Sequence, residues 1–165
     1  MKMIVISDTH MPKMAKKIPE ALKKGLTDAD LILHAGDWQT AEVYDELRKY
    51  APVEGVTGNI DEEGLHKLFD RKKILHFGEV KIGITHGDGK GKTTEKRAMD
   101  VFKDDDIDIL IYGHSHIPVL KTNDKPILFN PGSPTDKRRQ QHYSYGVIEI
   151  EKTVSIEHVF FDNKE

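Results

Sequence analysis

Short apolar runs, each cut off by polar or glycine residues, set the rhythm of this chain. Met3 to Ser7 is β-rich and apolar and runs directly into Asp8 and His10. Leu31 to His34 and Val53 to Val56 repeat the design, closed by Ala35-Gly36-Asp37 and by Thr57-Gly58-Asn59. Between these strands, Ala15 to Leu26 alternates lysine with apolar residues at helical spacing. Ala41 to Tyr50 places Val43, Leu47 and Tyr50 on one helical face before Pro52 stops it. The order β-α-β-α-β predicts a parallel sheet with right-handed crossovers.

The second half reads differently. A short helix is expected near Leu65 to Asp70, then two strands, Lys73 to Phe77 and Val80 to Thr85, joined as a hairpin around Gly78-Glu79. Thr93 to Lys103 predicts a helix with Val101 and Phe102 inward and Thr93 or Thr94 as its cap. Ile107 to Tyr112 is a buried strand; Val119 to Thr122, Ile127 to Asn130, Tyr145 to Ile150 and Val154 to Phe160 complete a largely antiparallel set. The expected architecture is α/β, two sheets packed face to face with helices outside. No internal repeat or linker divides it, so residues 1–165 read as a single domain.

Composition narrows the function. The 165 residues are 32% charged with a net charge of only −3, so no global basic field points to a stable nucleic-acid partner. Cysteine is absent, which excludes disulfides, zinc thiolate sites and thiol nucleophiles. The apolar run at the start is too short for a signal peptide or a membrane span, and a cytoplasmic protein is expected.

The chemistry gathers where the strands end. Asp8, His10, Asp37, Asn59, His86, His114 and His116 each follow an apolar run, and Gly36, Gly58, Gly87 and Gly113 each adjoin one of them. Singly these motifs are weak, because a chain with nine His yields an Asp-x-His or His-x-His pair by chance. Jointly they are not weak. Strand ends at one edge of an α/β sheet share a crevice, and glycine there lets the backbone turn sharply. In an extended segment residues i and i+2 face one side, so Asp8 with His10, and His114 with His116, are expected to present side chains to one cavity. Two carboxylates, four imidazoles and an amide exceed the needs of one ion and suit two, with Mn²⁺, Fe or Zn²⁺ favoured over Ca²⁺ or Mg²⁺. Such ions, about 3.5–4 Å apart, clamp a phosphate and bring a shared water's pKa from ~15.7 toward ~7.

The ordered series SDTH, GDW, GNID, THGD and GHSH, with NPGS at Asn130 to Ser133, resembles the calcineurin-like metallophosphoesterases, most closely their short YfcE-type phosphodiesterase branch. The resemblance implies a four-layer α/β/β/α sandwich of two mixed sheets and a dinuclear centre. It implies that Asp8, His10 and His116 hold one ion, that Asn59, His86 and His114 hold the other, and that Asp37 bridges them. The expected ion is Mn²⁺, with Ni²⁺, Fe²⁺ and Zn²⁺ as alternatives. The implied activity is hydrolysis of a small phosphate ester or nucleotide by a metal-bridging hydroxide, with Asp37, Asn59 and His86 carrying the chemistry. A phosphomonoesterase or cyclic-nucleotide hydrolase is the alternative enzyme. A metal-stabilised protein-binding scaffold, as in the small retromer subunit, is the alternative outside catalysis. Homo-oligomerisation is left open.

Several positions qualify this reading. Many members of the superfamily carry His after Gly-Asn, a group assigned to the leaving oxygen, but here the position is Ile60. Asp88 orients an imidazole, caps its loop or lies in solvent. Lys90 and Lys92 lie in a glycine-rich segment that fails the P-loop spacing and reads as a solvated cationic loop. Arg138 and Arg139, after NPGS, are candidate substrate contacts together with Asn59. His34 reads as structural or as a donor to a ligand carboxylate, and Trp38 as packing. His66, His76, His142 and His158 receive no role.

Overall fold

A computed structural model describes residues 1–165. In chain order it contains β1 (Lys2–Ile6), α1 (Glu20–Leu26), β2 (Leu31–His34), α2 (Ala41–Leu47), β3 (Val53–Gly55) and α3 (Glu63–Leu68). There follow β4 (Lys72–Phe77), β5 (Val80–Thr85), α4 (Thr94–Val101), β6 (Ile109–Ile111), β7 (Val119–Lys121), β8 (Ile127–Asn130), β9 (Tyr143–Ile150) and β10 (Val154–Phe161). These strands form two five-stranded sheets, ordered β10-β9-β1-β2-β3 and β4-β5-β6-β8-β7. No helix is long and apolar enough to cross a membrane.

Strand alternation explains the layering. Side chains point to opposite faces at successive positions, and both faces of β1 are apolar. Ile4 and Ile6 pack with Leu22, Leu26, Val43 and Leu47 of α1 and α2. Met3 and Val5 face the other way, onto Ile82, Ile84, Ile109, Ile111 and Phe129 of the second sheet. On the outer face of that sheet, Leu110 and Leu128 pack with Ala98 and Phe102 at α4. Three apolar cores therefore separate four layers, helix, sheet, sheet and helix.

Both sheets are mixed. In the first, β1 pairs β2 and β2 pairs β3 in parallel, while β9 runs antiparallel to both β1 and β10. In the second, the largely antiparallel expectation needs correction. The β4–β5 hairpin and the β7–β8 pair are antiparallel, but β5, β6 and β8 run parallel. The helix α4 carries the β5–β6 crossover, so the second sheet also contains a β-α-β unit. That topology sends the ends of β5 and β6 to the edge where β1 and β2 finish.

The helix boundaries also shift: α3 starts and ends two residues early, and α4 stops at Val101. Val101, expected inward, is 39% exposed because the helix ends there with only Phe102 of the pair turned to the core. The helix expected from Ala15 begins only at Glu20, with Pro19 at its cap. A residue before proline is disfavoured in helical geometry, so Ile18 cannot carry the pattern through. α2 stops at Leu47, and Tyr50 closes a further turn through its amide to the Leu47 carbonyl, 3.0 Å.

Candidate metal centre

The loops leaving these strands do not stay extended. Asp8 (φ 56°), His10 (44°), Asp37 (59°), His114 (70°) and His116 (62°) all adopt left-handed backbone geometry. They are five of only eight non-glycine residues in the chain to do so. This conformation costs on the order of 1–3 kcal/mol per residue and collects at functional sites. The extended i, i+2 mechanism is thereby overturned. Left-handed turns, not strand alternation, aim the side chains, and His114 and His116 end in different groups.

Two donor groups result. The ligand atoms of Asp8, His10 and His116 lie within 4.8 Å of one another, as do those of Asp37, His86 and His114. Asp8 Oδ1 stands 3.8 Å from His10 Nε2, 3.7 Å from His86 Nε2 and 3.5 Å from His116 Nε2. Asp37 Oδ2 faces both groups, at 3.5 Å from His10 Nε2 and 3.0 Å from His86 Nε2. Asn59 is exposed on the loop after β3 and makes no hydrogen bond within the chain.

Hydrogen bonds hold the spare atom of four donors, Asp8, Asp37, His86 and His116, and leave the inward atom free. Asp8 Oδ2 accepts from Ser7 Oγ (2.9 Å) and from the His114 amide (3.0 Å). Asp37 Oδ1 accepts from the Ile60 amide at 3.1 Å. His86 Nδ1 lies 2.8 Å from the Ala35 carbonyl and His116 Nδ1 2.5 Å from the Asp136 carbonyl. A carbonyl only accepts, so Nδ1 carries a hydrogen in both rings and Nε2 is the nitrogen left to bind a cation once any proton on it is displaced. The consequence is a cluster of buried atoms without partners: Asp8 Oδ1 and the Nε2 atoms of His10, His86 and His116, four of the five such atoms in the chain. An unsatisfied buried polar atom costs about 1–3 kcal/mol. Divalent cations would satisfy all four, so carboxylates and imidazoles here fit the ions expected from the sequence.

Sequence reasoning missed the residues that support this geometry. Asp61 accepts three backbone N–H groups, from Asp37 (3.0 Å), Gln39 (2.8 Å) and Gly58 (2.7 Å), and so ties the β2 and β3 loops together. An aspartate within a glycine-containing turn was the available signal. Ser133 Oγ donates to the Asp8 carbonyl (2.8 Å) and Thr135 Oγ1 to the Thr9 carbonyl (2.6 Å), which gives NPGS a structural task.

The remaining candidates fall outside the cluster. His34 is fully buried, stacked on Trp38 at 3.9 Å, with Nδ1 accepting from the Gly36 amide at 3.1 Å. Burial pushes it down to about 3, so it is a neutral structural residue. Trp38 is buried with its indole N–H on the Val56 carbonyl, 2.8 Å. Asp88 neither orients an imidazole nor caps its loop. It pairs with Arg71, whose other nitrogen donates to the Gly58 carbonyl at 2.9 Å. Lys92 pairs with Asp100 and Lys90 is exposed. Arg138 and Arg139 are exposed and line a pocket with Ser115, Ile117 and Gln140. His66 and His76 are exposed, His142 contacts Asp162 (2.6 Å), and His158 contacts the Asn130 carbonyl (2.7 Å).

Charge balance within the cluster sets its pH response. Burial works against a charged His10, but the nearby Asp37 and Asp8 carboxylates prevail and raise it to about 9. Burial likewise opposes charge on His86, and the Asp8 and Asp37 carboxylates lift it to about 9. Burial would raise Asp37, yet its contacts with His10 and His86 hold it well below the usual carboxylate range. Without cations, two imidazolium groups thus neutralise two carboxylates. Both histidine values lie above the ordinary 6.5, so their contribution to the stability of the metal-free chain is complete below 6.5 and lost as pH rises through about 9. Metal must displace those protons. Added Mn²⁺ is therefore expected to raise the melting temperature more at pH 9 than at pH 6. Calorimetry of chelated and Mn²⁺-loaded protein at both pH values checks this, and an equal or larger gain at pH 6 contradicts it.

Residues 1–153 match the calcineurin-like phosphoesterase superfamily domain. A probable metallophosphoesterase of Methanothermobacter thermautotrophicus is 39% identical over 137 residues, which cover 81% of this chain and 77% of that protein. The structure of wild-type Vps29 of Entamoeba histolytica complexed with Zn²⁺ is similar at 27% identity and a TM-score of 0.75, covering 98% of this chain and 100% of the other. An archaeal phosphodiesterase shares the fold at 24% identity and a TM-score of 0.74, covering 98% and 100%. With the match spanning nearly the whole length and the donor groups gathered at the strand ends, the chain belongs to the calcineurin-like phosphoesterase superfamily.

Proposed function

We propose that this protein is a dinuclear, metal-dependent phosphodiesterase acting on a small phosphate ester or nucleotide. The observation that carries the reading is the set of four buried, partnerless donor atoms brought together from three loops. In this reading Asp8, His10 and His116 hold one ion, Asn59, His86 and His114 hold the other, and Asp37 serves both. Two divalent ions there, Mn²⁺ foremost, supply Lewis acidity at a phosphoryl oxygen and a water acidified toward neutral pH. The chain itself supplies rigidity. The Ser7 hydroxyl and His114 amide fix Asp8, the Ile60 amide fixes Asp37, and two carbonyls fix the His86 and His116 tautomers.

Ile60 shapes the substrate preference. It is 40% exposed beside the Asp37 carboxylate and has no proton to give. Asp88, the acidic side chain next along from His86, is engaged by Arg71. General acid catalysis is worth about 10²–10⁴-fold, so substrates with a good leaving group are favoured. Mn²⁺-loaded protein is expected to hydrolyse bis(p-nitrophenyl) phosphate at least about tenfold faster than glycerol 2-phosphate, an alkyl monoester. Steady-state kinetics on both decide this, and the opposite order overturns the diesterase reading in favour of a phosphomonoesterase. The similarity to Vps29 supports a second reading, a protein-binding scaffold. A complete donor set argues for chemistry over that role, and metal-independent silence on every phosphate ester would reverse the preference.

A further inference from the structure

The connection between α3 and β4 grips two of the donor loops at once. Arg71 Nη1 donates to the Gly58 carbonyl at 2.9 Å, and Nη2 pairs with the Asp88 carboxylate. The backbone repeats the pattern. The Asp70 carbonyl accepts from the Thr57 amide at 3.0 Å, and the Arg71 carbonyl accepts from Thr85 Oγ1 at 3.2 Å. Thr57 and Gly58 precede Asn59, while Thr85 and Asp88 stand on either side of His86. Because β3 and β4 are edge strands of different sheets, Asp70 and Arg71 link the sheets beside the cluster.

Asn59 depends on such a link. Its side chain is exposed and makes no hydrogen bond within the chain, so the backbone alone aims it. The Gly58 carbonyl belongs to the peptide group that enters Asn59, and the Ile60 amide to the one that leaves it. Arg71 holds the first at 2.9 Å and Asp37 Oδ1 holds the second at 3.1 Å. The Gly58 amide is tied as well, to Asp61 Oδ2 at 2.7 Å. Peptide groups are planar, so fixing both leaves Asn59 little freedom beyond its side-chain rotamers. The Arg71–Asp88 pair is open to water, with side chains 51% and 18% exposed, and an ion pair of that kind adds little to stability. What it does is hold two loops in register through one planar, two-ended group.

We propose that Arg71, seated on Asp88, is a positioning residue for the ion assigned to Asn59, His86 and His114. The inference rests on the two-metal reading and makes one ion's affinity depend on a side chain outside the donor set. Arg71 acts by ordering the loops in advance. With the guanidinium in place, an ion meets loops already set; without it, the cost of ordering them falls on metal binding. Asp8, His10 and His116 are supported elsewhere, by Ser7, Ser133 and the Asp136 carbonyl, so their ion is not affected.

The test is calorimetric titration of metal-stripped, full-length protein with Mn²⁺. Arg71→Ala is expected to weaken one of the two sites about tenfold, the low end for a lost ligand support, and to leave the other unchanged. Asp88→Ala, which spares the Gly58 contact, is expected to weaken the same site about threefold, the worth of one exposed ion pair. The double variant should bind no more weakly than Arg71→Ala, since the two side chains act as a unit. Excess Mn²⁺ should restore kcat on bis(p-nitrophenyl) phosphate in Arg71→Ala, which a merely structural loss would not allow. If Arg71→Ala melts early, Asp88→Ala carries the test. Equal weakening of both sites, additive losses in the double variant, or an unchanged Mn²⁺ affinity each overturns the proposal; a raised KM with that unchanged affinity would make Arg71 a substrate contact. A parent protein that binds fewer than two Mn²⁺ ions overturns the two-metal reading beneath it.

Discussion

Alanine at position 37 is expected to lower kcat/KM on an aryl phosphodiester by roughly 10³-fold or more, beyond the 10–100-fold typical when only a residue supporting a ligand is lost. The expectation follows from geometry. Asp37 Oδ2 is the one carboxylate oxygen within 3.5 Å of an imidazole from each donor group, at 3.5 Å from His10 and 3.0 Å from His86. If Asp37 bridges the ions as proposed, removing it leaves both groups short of a ligand, and it removes charge that the histidines now balance. Asp37→Asn separates the two effects, because it keeps the oxygen and the Ile60 hydrogen bond but not the charge. Steady-state kinetics with metal analysis checks the result. Activity within tenfold of the parent in Asp37→Ala would place the chemistry elsewhere.

Gly58→Ala is the second large effect, and it acts through one methyl group. A Cβ at this position would collide with Asp37 Oδ1 and stand 2.7 Å from the Asp37 nitrogen and 2.8 Å from its Cγ. The carboxylate is pinned by the Ile60 amide and its backbone by Asp61, so it cannot yield cheaply. Overpacking of this kind costs about 1–3 kcal/mol. The displaced Asp37 adds a loss of activity on the order of 100-fold, as for other disturbed ligand supports. Gly64→Ala is the matched control. Its Cβ meets only Ala41 Cβ at 4.0 Å, and it lies in α3, where alanine is worth about 0.5–1 kcal/mol over glycine. Thermal melts and kinetics of the two variants should therefore move in opposite directions in stability, with activity lost only in Gly58→Ala. Full activity in Gly58→Ala would show that the Asp37 position is not critical.

The donors were legible in the sequence because each apolar strand stops on one. β1 runs into Asp8, β2 into Asp37, β5 into His86 and β6 into His114, and the helix-spaced segments between them reveal the β-α-β order. Strand direction in the second sheet was harder to read. Ile109, Leu110 and Ile111 are buried on both faces, and such a run looks the same in a parallel or an antiparallel neighbourhood. Asp61 escaped for another reason. Its partners at Asp37 and Gln39 lie 24 and 22 residues away, and nothing local announces that their amides will converge on it. The left-handed turns at Asp8, His10, Asp37, His114 and His116 were equally hidden, since no glycine occupies those positions. Composition shows where donors sit, whereas the loop network decides which way they point.

The most direct test of a two-metal centre is titration of metal-stripped protein with Mn²⁺, following bound metal and hydrolysis of bis(p-nitrophenyl) phosphate together. Two ions should bind per chain, with turnover appearing as the second site fills. Full activity at one equivalent, or turnover independent of metal, would contradict the dinuclear account.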